Sequence, residues 1–477
     1  MSSALAEAVY ERLPVAFQNL VCSAYGYREA RTRFGRDFRR RLRELSASEW
    51  WSVSDIAAYQ DERVRELIRH AYATVPYYHD RMRELGLTPE DIRGRADLPK
   101  LPVLTKEEVR ANYERMVSTS AAKRDLVLRH TSGTTGKALH FYYSRAAIGQ
   151  QWAVWWRHRH RFGVGLEALH ANFTGKRVVP TDQNRPPYWR WNLPMHQALL
   201  NMQHLTPAKI RDVVAFLDSK DFVYYNGYPS VIHAMAASAL EAGLTLARPP
   251  RFVFTGAENM LDYQRRDIAA LTGATLTDQY GFSEGCGNAS HCPSLVYHED
   301  FEFGILECVD PRPAGDGRVA GRIVCTGFAS PDTPLIRYEV GDVGIWENSE
   351  RGCSCGRHSA VLVAIDGRRD DYVITPEGGR IMRFDYLFKD THQVREAQVV
   401  QREPGAIVLR IVRRDGYSTR DELILREEVR QWISPTIRVS FEYTDEIPRP
   451  ANGKFRAVVS ELSRGDIAGL EPAGHVL

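Results

Sequence analysis

Apolar positions recur at two different spacings along this chain, and the change of spacing divides it. From Asp55 to Leu87 the period is helical: Val64, Leu67, Ile68 and Ala71 form one stripe, interrupted at Pro76. Residues 1 to 115 read as mostly helical throughout. The stretches DLVLRH (125–130) and LHFYYS (139–144) carry aromatic and branched residues with no helical period, which predicts two strands of a hairpin. Helices are predicted at 207–222 and 229–244, the second with Pro229 in its first turn and Gly243 near its end. Strands are predicted at 222–226, 251–256, 274–282 and 322–327, and this alternation predicts an α/β body. After GRRDD (367–371) the pattern changes. Two strands around a Pro-Gly turn (397–414) and a capped helix (419–433) predict a small α+β unit.

Between the two hairpin strands lies HTSGTTGK (130–137), whose glycines, hydroxyls and single lysine suit a phosphate. It is not a Walker A loop. Only Thr134 and Thr135 separate Gly133 from Gly136, Ala138 replaces the Mg²⁺-binding hydroxyl, and a strand rather than a helix follows.

Composition adds limits. The chain has 477 residues, 43% hydrophobic and 26% charged, as expected of a globular protein with more than one domain. A net charge of +3 gives no global field for nucleic acid or a membrane. The N-terminus, with Glu7 and Glu11, does not read as a signal peptide, and the most apolar long stretch (231–247) is broken by His233 and Glu241, so neither a signal peptide nor a membrane span is expected. Seven cysteines in a chain of this length point to a reducing cytoplasm. Residues 28–45 are strongly basic and read as a solvated helix face or a surface for an acidic partner or anionic lipid. WWRHRHRFG (155–163), whose His158 and His160 are spaced i, i+2 and do not face each other on a helix, reads as a basic surface turn near a nucleotide rather than a metal site.

Four further motifs follow the Gly/Thr loop in order: YGFSE (280–284), RYEVGD (337–342), GRRDD (367–371) and PRPANGK (448–454). Together they resemble the adenylate-forming superfamily of acyl-CoA synthetases, adenylation domains and luciferases, and within it the phenylacetate–CoA ligase, CapK and coenzyme F390 synthetase-like branch. HAYATVPYYHDRM and DLPKLPVLTKEEV (97–109) are similar to that branch as well. The resemblance implies a large N-terminal α/β domain (1–366), a hinge (367–371) and a small C-terminal lid domain (372–477). It also implies roles. Thr131, Ser132, Gly133, Thr134, Thr135, Gly136 and Lys137 would hold the β/γ-phosphates of ATP. Tyr280 and Gly281 would lie at the adenine, with the backbone of Gly256, Ala257 and Glu258 beside it. Ser283 would contact phosphate and Glu284 would hold Mg²⁺. Asp342 would accept the ribose hydroxyls, with Arg368 steadying that end. Asp371 would be the hinge residue and Lys454 the catalytic lysine. Ala138 and Val340 depart from the family's usual proline and threonine without removing a charge.

Cys292, His298, Cys353 and Cys355 make a Cys₃His set suited to closed, structural zinc, with His291, Cys286 and His358 as competing ligands. Phe141 and Tyr143 on one face of a strand predict an aromatic or apolar acid pocket, and Tyr228 starts a helix that, as the resemblance implies, flanks it. The implied reaction is ATP-dependent activation of a carboxylic acid, with CoA as acceptor. An amine, a hydroxyl or a carrier-protein thiol is the alternative acceptor, and a homodimer stays open. A reading of another class is a non-catalytic nucleotide- or polyanion-binding protein, which retention of Glu284 and Lys454 argues against.

Overall fold

The computed structural model describes residues 8–130, 139–174, 178–257, 260, 262–347, 352–366, 373–376, 380–381, 387–388, 391, 393–413, 416–445, 447 and 458–462. Helices Val15–Arg33, Phe38–Ser48, Val53–Thr74, Pro76–Glu84 and Lys106–Asn112 fill the N-terminal region. The break at Pro76 has a local cause. Proline lacks an N–H and disfavours helix at the residue before it, so Val75 is extended and Pro76 opens the next helix. The Thr105–Glu108 capping box starts the fifth helix.

The hairpin forms as the sequence predicts: β1 (Leu126–His130) pairs antiparallel with β2 (His140–Ser144). Twelve further strands make one mixed sheet: β3 (His170–Thr174), β4 (Trp189–Asn192), β5 (Gln197–Asn201), β6 (Tyr224–Gly227), β7 (Phe252–Gly256), β8 (Thr275–Gly281), β9 (Asn288–His291), β10 (Tyr297–Glu299), β11 (Gly304–Pro313), β12 (Val319–Gly327), β13 (Tyr338–Trp346) and β14 (Val361–Asp366). Their order is β11-β12-β13-β14-β10-β9-β8-β7-β6-β3-β5-β4. β8, β7, β6, β3 and β5 run parallel, and antiparallel pairing begins at β9. Helices Ile210–Asp218, Pro229–Glu241 and Asp262–Thr272 supply the crossovers of the parallel half, and an apolar cluster around Tyr225, Ile232, Val253 and Ile268 lies beneath them. A second cluster holds Phe141, Tyr143, Trp156, Ile305 and Tyr338.

The small unit has its own core. β17 (Val394–Glu403), β18 (Ala406–Arg413), β19 (Arg438–Tyr443) and β20 (Val458–Ser460) form a four-stranded sheet under helix Thr419–Trp432. Leu409, Ile411, Leu425 and Val429 are fully buried between them. The Pro-Gly turn is where expected, with Gly405 at φ +71°, a conformation that costs other residues strain. The Gln401 amide bonds both the N–H and the C=O of Ile374, at 2.7 Å each, which ties β15 (Val373–Ile374) and its partner β16 (Arg380–Ile381) to this sheet.

One expectation is corrected. Residues 155–161 are the end of helix Arg145–Arg161, and Arg157 and His158 are buried in it rather than set in a surface turn. The reason lies far away in sequence. Arg157 donates to Asp300 Oδ1 (2.6 Å), Glu302 Oε1 (2.7 Å) and the Leu45 carbonyl (2.9 Å), and His158 bonds Thr277 Oγ1 at 2.8 Å. Carboxylates in the turn between β10 and β11 make a buried cation tolerable, which no local pattern reveals.

Candidate active site

β8 is the last of the parallel strands, and Tyr280 stands at its carboxyl end, where open α/β sheets bind ligands. A tight turn follows. The Gly285 N–H bonds the Phe282 carbonyl at 3.1 Å, and Gly285 takes φ +64° with its Cα against the Tyr143 ring. The turn leaves Ser283 exposed and turns Glu284 inward, where it is 7% exposed.

Two hydrogen bonds then join this segment to β13. The Tyr280 hydroxyl donates to Asp342 Oδ2 at 2.9 Å. The Tyr338 hydroxyl donates to Glu284 Oε1 at 2.7 Å. Burial, reinforced by these carboxylates, pushes both phenols well above their usual pKa, so both remain donors. β13 carries a bulge between Glu339 and Val343, and Gly341 within it takes φ +90°. Such a bulge re-aims a side chain, and here it precedes Asp342. The amino end of β13 is held by the 97–109 segment: Leu104 bridges Tyr338, and Lys106 Nζ donates to the Val340 carbonyl at 2.9 Å.

On the other side of Tyr280, Gly256 pairs with Gln279, and a Cβ at Gly256 would lie 2.9 Å from the Gln279 carbonyl. Ala257 follows at φ +68°, exposed, a strained non-glycine backbone next to the site. Beside Glu284 a cleft of about 290 Å³, including its open mouth, is lined by Tyr113, Met116, Phe141, Tyr142 and Leu335.

The structure thus brings together Tyr280, Glu284, Asp342, Gly256, Ala257 and Phe141. Gly281 pairs with Asn288 at the end of β8. Tyr143 is fully buried under Gly285 with the Arg129 guanidinium over its ring, 4.8 Å from the centroid. Tyr228 packs with the other apolar cluster, beneath the crossover helices. Thr131–Lys137, Glu258, Arg368, Asp371 and Lys454 lie outside the described residues. Sequence reasoning missed Tyr338, Tyr142, Tyr113 and Lys106. Tyr338 had a signal, since it opens the same motif as Asp342.

The Cys₃His set is built by strand pairing. β10 pairs with both β9 and β14, which sets Cys292 after β9, His298 on β10 and Cys353 and Cys355 before β14 at one place. All four donor atoms lie within 4.8 Å of one another. Cys292 Sγ and Cys353 Sγ are 3.8 Å apart, and Cys355 Sγ is 3.3 Å from His298 Nε2. Those separations fit the edges of a tetrahedron with metal–ligand bonds of about 2.0–2.3 Å. Ser359 Oγ bonds His298 Nδ1 at 3.2 Å, which leaves Nε2 for the cluster. The competing ligands are elsewhere. His291 Nδ1 accepts the Asp278 N–H, Cys286 is in the core, and His358 is exposed.

A crystal structure of 2-hydroxyisobutyryl-CoA ligase in complex with 2-HIB-AMP and CoA aligns with a TM-score of 0.57 and 19% identity, over 86% of this chain and 90% of that one. The mixed sheet with its small C-terminal domain is therefore the fold of an adenylate-forming enzyme. Residues 373–461 match the family model for the CapK C-terminal domain. Protein CapK of Staphylococcus aureus is 24% identical over 458 residues, 95% of this chain and 99% of CapK. Phenylacetate-coenzyme A ligase of Thermus thermophilus is 27% identical over 350 residues, 67% of this chain and 72% of that ligase. These similarities support the adenylate-forming superfamily of ligases, in the branch that holds CapK and the phenylacetate–CoA ligases.

Proposed function

We propose that this protein activates a carboxylic acid with ATP and passes the acyl group to CoA. The observation that carries the reading is the double bridge at the end of β8, Tyr280 to Asp342 and Tyr338 to Glu284. It sets a ring and a carboxylate suited to a nucleoside beside a second, buried carboxylate suited to a cation. A carboxylate oxygen of the acid attacks the α-phosphorus, and pyrophosphate leaves. Tyr280, Gly281 and the Gly256–Glu258 backbone take the base, Asp342 and Arg368 the ribose, Thr131–Lys137 and Ser283 the phosphates. Glu284 is the residue to hold Mg²⁺, which when bound offsets the charge that gathers as two anions meet. Lys454 brings the second cation to the same oxygens. The CoA sulfur then attacks the acyl carbonyl and AMP leaves. Lys454 must withdraw for this step, which a hinge at Asp371 between 1–366 and 372–477 allows.

The acid is aromatic or apolar in this reading, since Tyr113, Phe141 and Tyr142 line the cleft beside Glu284. Zinc in the Cys₃His set is structural. Three thiols and an imidazole leave no open position, and the metal would staple the loop after β9 to the loop before β14.

A second reading changes only the acceptor, to an amine, a hydroxyl or a carrier-protein thiol. The alignment with CapK favours it, because it spans 95% of the chain where that with the named CoA ligase spans 67%. Carboxylate-dependent ATP–pyrophosphate exchange across a panel of acids tests the first half-reaction. Thioester formation with CoA, for the acid that exchanges fastest, tests the second. No exchange with any acid would refute both readings, and exchange without thioester would leave the second.

A further inference from the structure

Helix Val15–Arg33 is inverted. Its protein-facing half carries Gln18, Asn19, Cys22, Ser23 and Gly26, and its outer half carries Phe17, Leu20, Val21, Tyr25 and Tyr27. Leu20 is 63% exposed and Tyr27 58%, whereas Gln18 is 2% exposed. A surface helix normally buries its apolar side.

The inner half has a purpose that explains its polarity. β4 is the edge of the large sheet, and an open edge needs partners. Asn19 Oδ1 accepts the Trp191 N–H at 2.9 Å, and Ser23 Oγ donates to the Trp191 carbonyl at 3.2 Å and accepts the Leu193 N–H at 3.2 Å. Gln18 bonds Arg190 Nε at 2.5 Å. Gly26 lets the helix approach, since a Cβ there would meet Asn192 at 1.9 Å. The helix is thus fixed on the sheet edge by polar contacts. Its apolar half is held outward in one orientation, and among the described residues Phe17, Leu20, Val21, Tyr25 and Tyr27 remain largely exposed.

The same outer face continues into charge. Arg28 and Arg31 lie on it one and two turns beyond the exposed Ala24, and Arg31 sits 6.0 Å from the Tyr27 ring centroid. Neither forms an ion pair among the described residues, and Arg36, in the turn that follows, is exposed as well. Residues 28–45 hold eight arginines against three carboxylates, so they carry more positive charge than the net +3 of the whole chain. An apolar stripe with tyrosines on its flanks and arginines at one end matches an anionic lipid surface. The rings and aliphatic groups enter the headgroup boundary while the guanidinium groups meet the headgroups.

We propose that this helix face docks the protein peripherally on a membrane rich in anionic lipid. The test is sedimentation of the full-length protein with vesicles of phosphatidylcholine alone or mixed with phosphatidylglycerol, at low and high salt. Binding to the mixed vesicles, and little to the neutral ones, is expected. Phe17→Asp with Leu20→Asp, and separately Arg28→Glu with Arg31→Glu, should each weaken it by about tenfold or more. Both variants should keep wild-type melting temperature and pyrophosphate exchange. High salt should weaken the wild type and leave neutral-vesicle binding unchanged. Failure of the wild type to bind mixed vesicles overturns the proposal, as does wild-type binding by both double variants. If the protein is instead a dimer in solution that Phe17→Asp with Leu20→Asp makes monomeric, and no vesicle binding is seen, the face is a self-contact and the proposal falls.

Discussion

Tyr338→Phe isolates one atom of the proposed magnesium site. Tyr338 is fully buried and its ring packs in the core around Phe141 and Tyr143, so the substitution keeps the packing and removes only the donor to Glu284. A hydrogen bond to a charged group contributes about 1.5–3 kcal/mol, and the carboxylate left behind is itself buried. If Glu284 holds Mg²⁺, losing the bond that aims it should raise the Mg²⁺ concentration needed for half-maximal pyrophosphate exchange by about ten- to a hundredfold. The acid's KM should stay within about twofold, since only the cation-binding oxygen is disturbed. Tyr280→Phe is the paired control. It removes the other bridge, to Asp342, and should raise the KM for ATP while the Mg²⁺ dependence stays put. Circular dichroism and melting temperature establish that both variants fold, with an expected loss of about 1.5–3 kcal/mol for Tyr338→Phe and less for Tyr280→Phe, whose partner Asp342 is only half-buried. Exchange by Tyr338→Phe that matches wild type across the whole Mg²⁺ titration would refute the role given to Glu284.

Three other outcomes are expected. Glu299 is 5% exposed, and burial pushes its carboxyl up to about 7, despite a 2.6 Å bond from the Leu306 N–H. The folded state then holds a proton that the unfolded chain releases near its ordinary pKa of about 4.3, so stability falls as pH rises from there to about 7. Glu299→Gln should therefore gain about 1–3 kcal/mol over wild type at pH 8 and almost none near pH 4.5, as read by denaturant melts; equal differences at both pH values would contradict this. Purified protein should carry about one equivalent of zinc, and Cys353→Ser should lower both metal content and melting temperature, whereas an equally stable protein purified without metal would remove the staple. Lys454→Ala should cost pyrophosphate exchange about a hundredfold or more while nucleotide binding, followed by calorimetry, stays near wild type; wild-type exchange would reassign the lysine.

Much of this protein is legible in its sequence because much of it is local. Backbone chemistry at Pro76, Gly405 and the Thr105 cap sets element boundaries within a few residues, and the 125–144 hairpin follows from its branched and aromatic strands. The order of the motifs is legible too, and so is the Cys₃His set, whose four donor atoms the fold brings within 4.8 Å of one another. What the sequence does not contain is any relation across the sheet. Tyr338 meets Glu284, and Arg157 is buried on Asp300 and Glu302, only because the fold brings together segments far apart in the chain. Arg157 looks like a surface residue until those carboxylates are beside it, since desolvation of a charge is decided by its surroundings. Helix Val15–Arg33 is the clearest case. Its residues fix that it is a helix, but which half faces water was decided by the unpaired edge of β4, whose peptide groups claimed the polar side and left the apolar side outside.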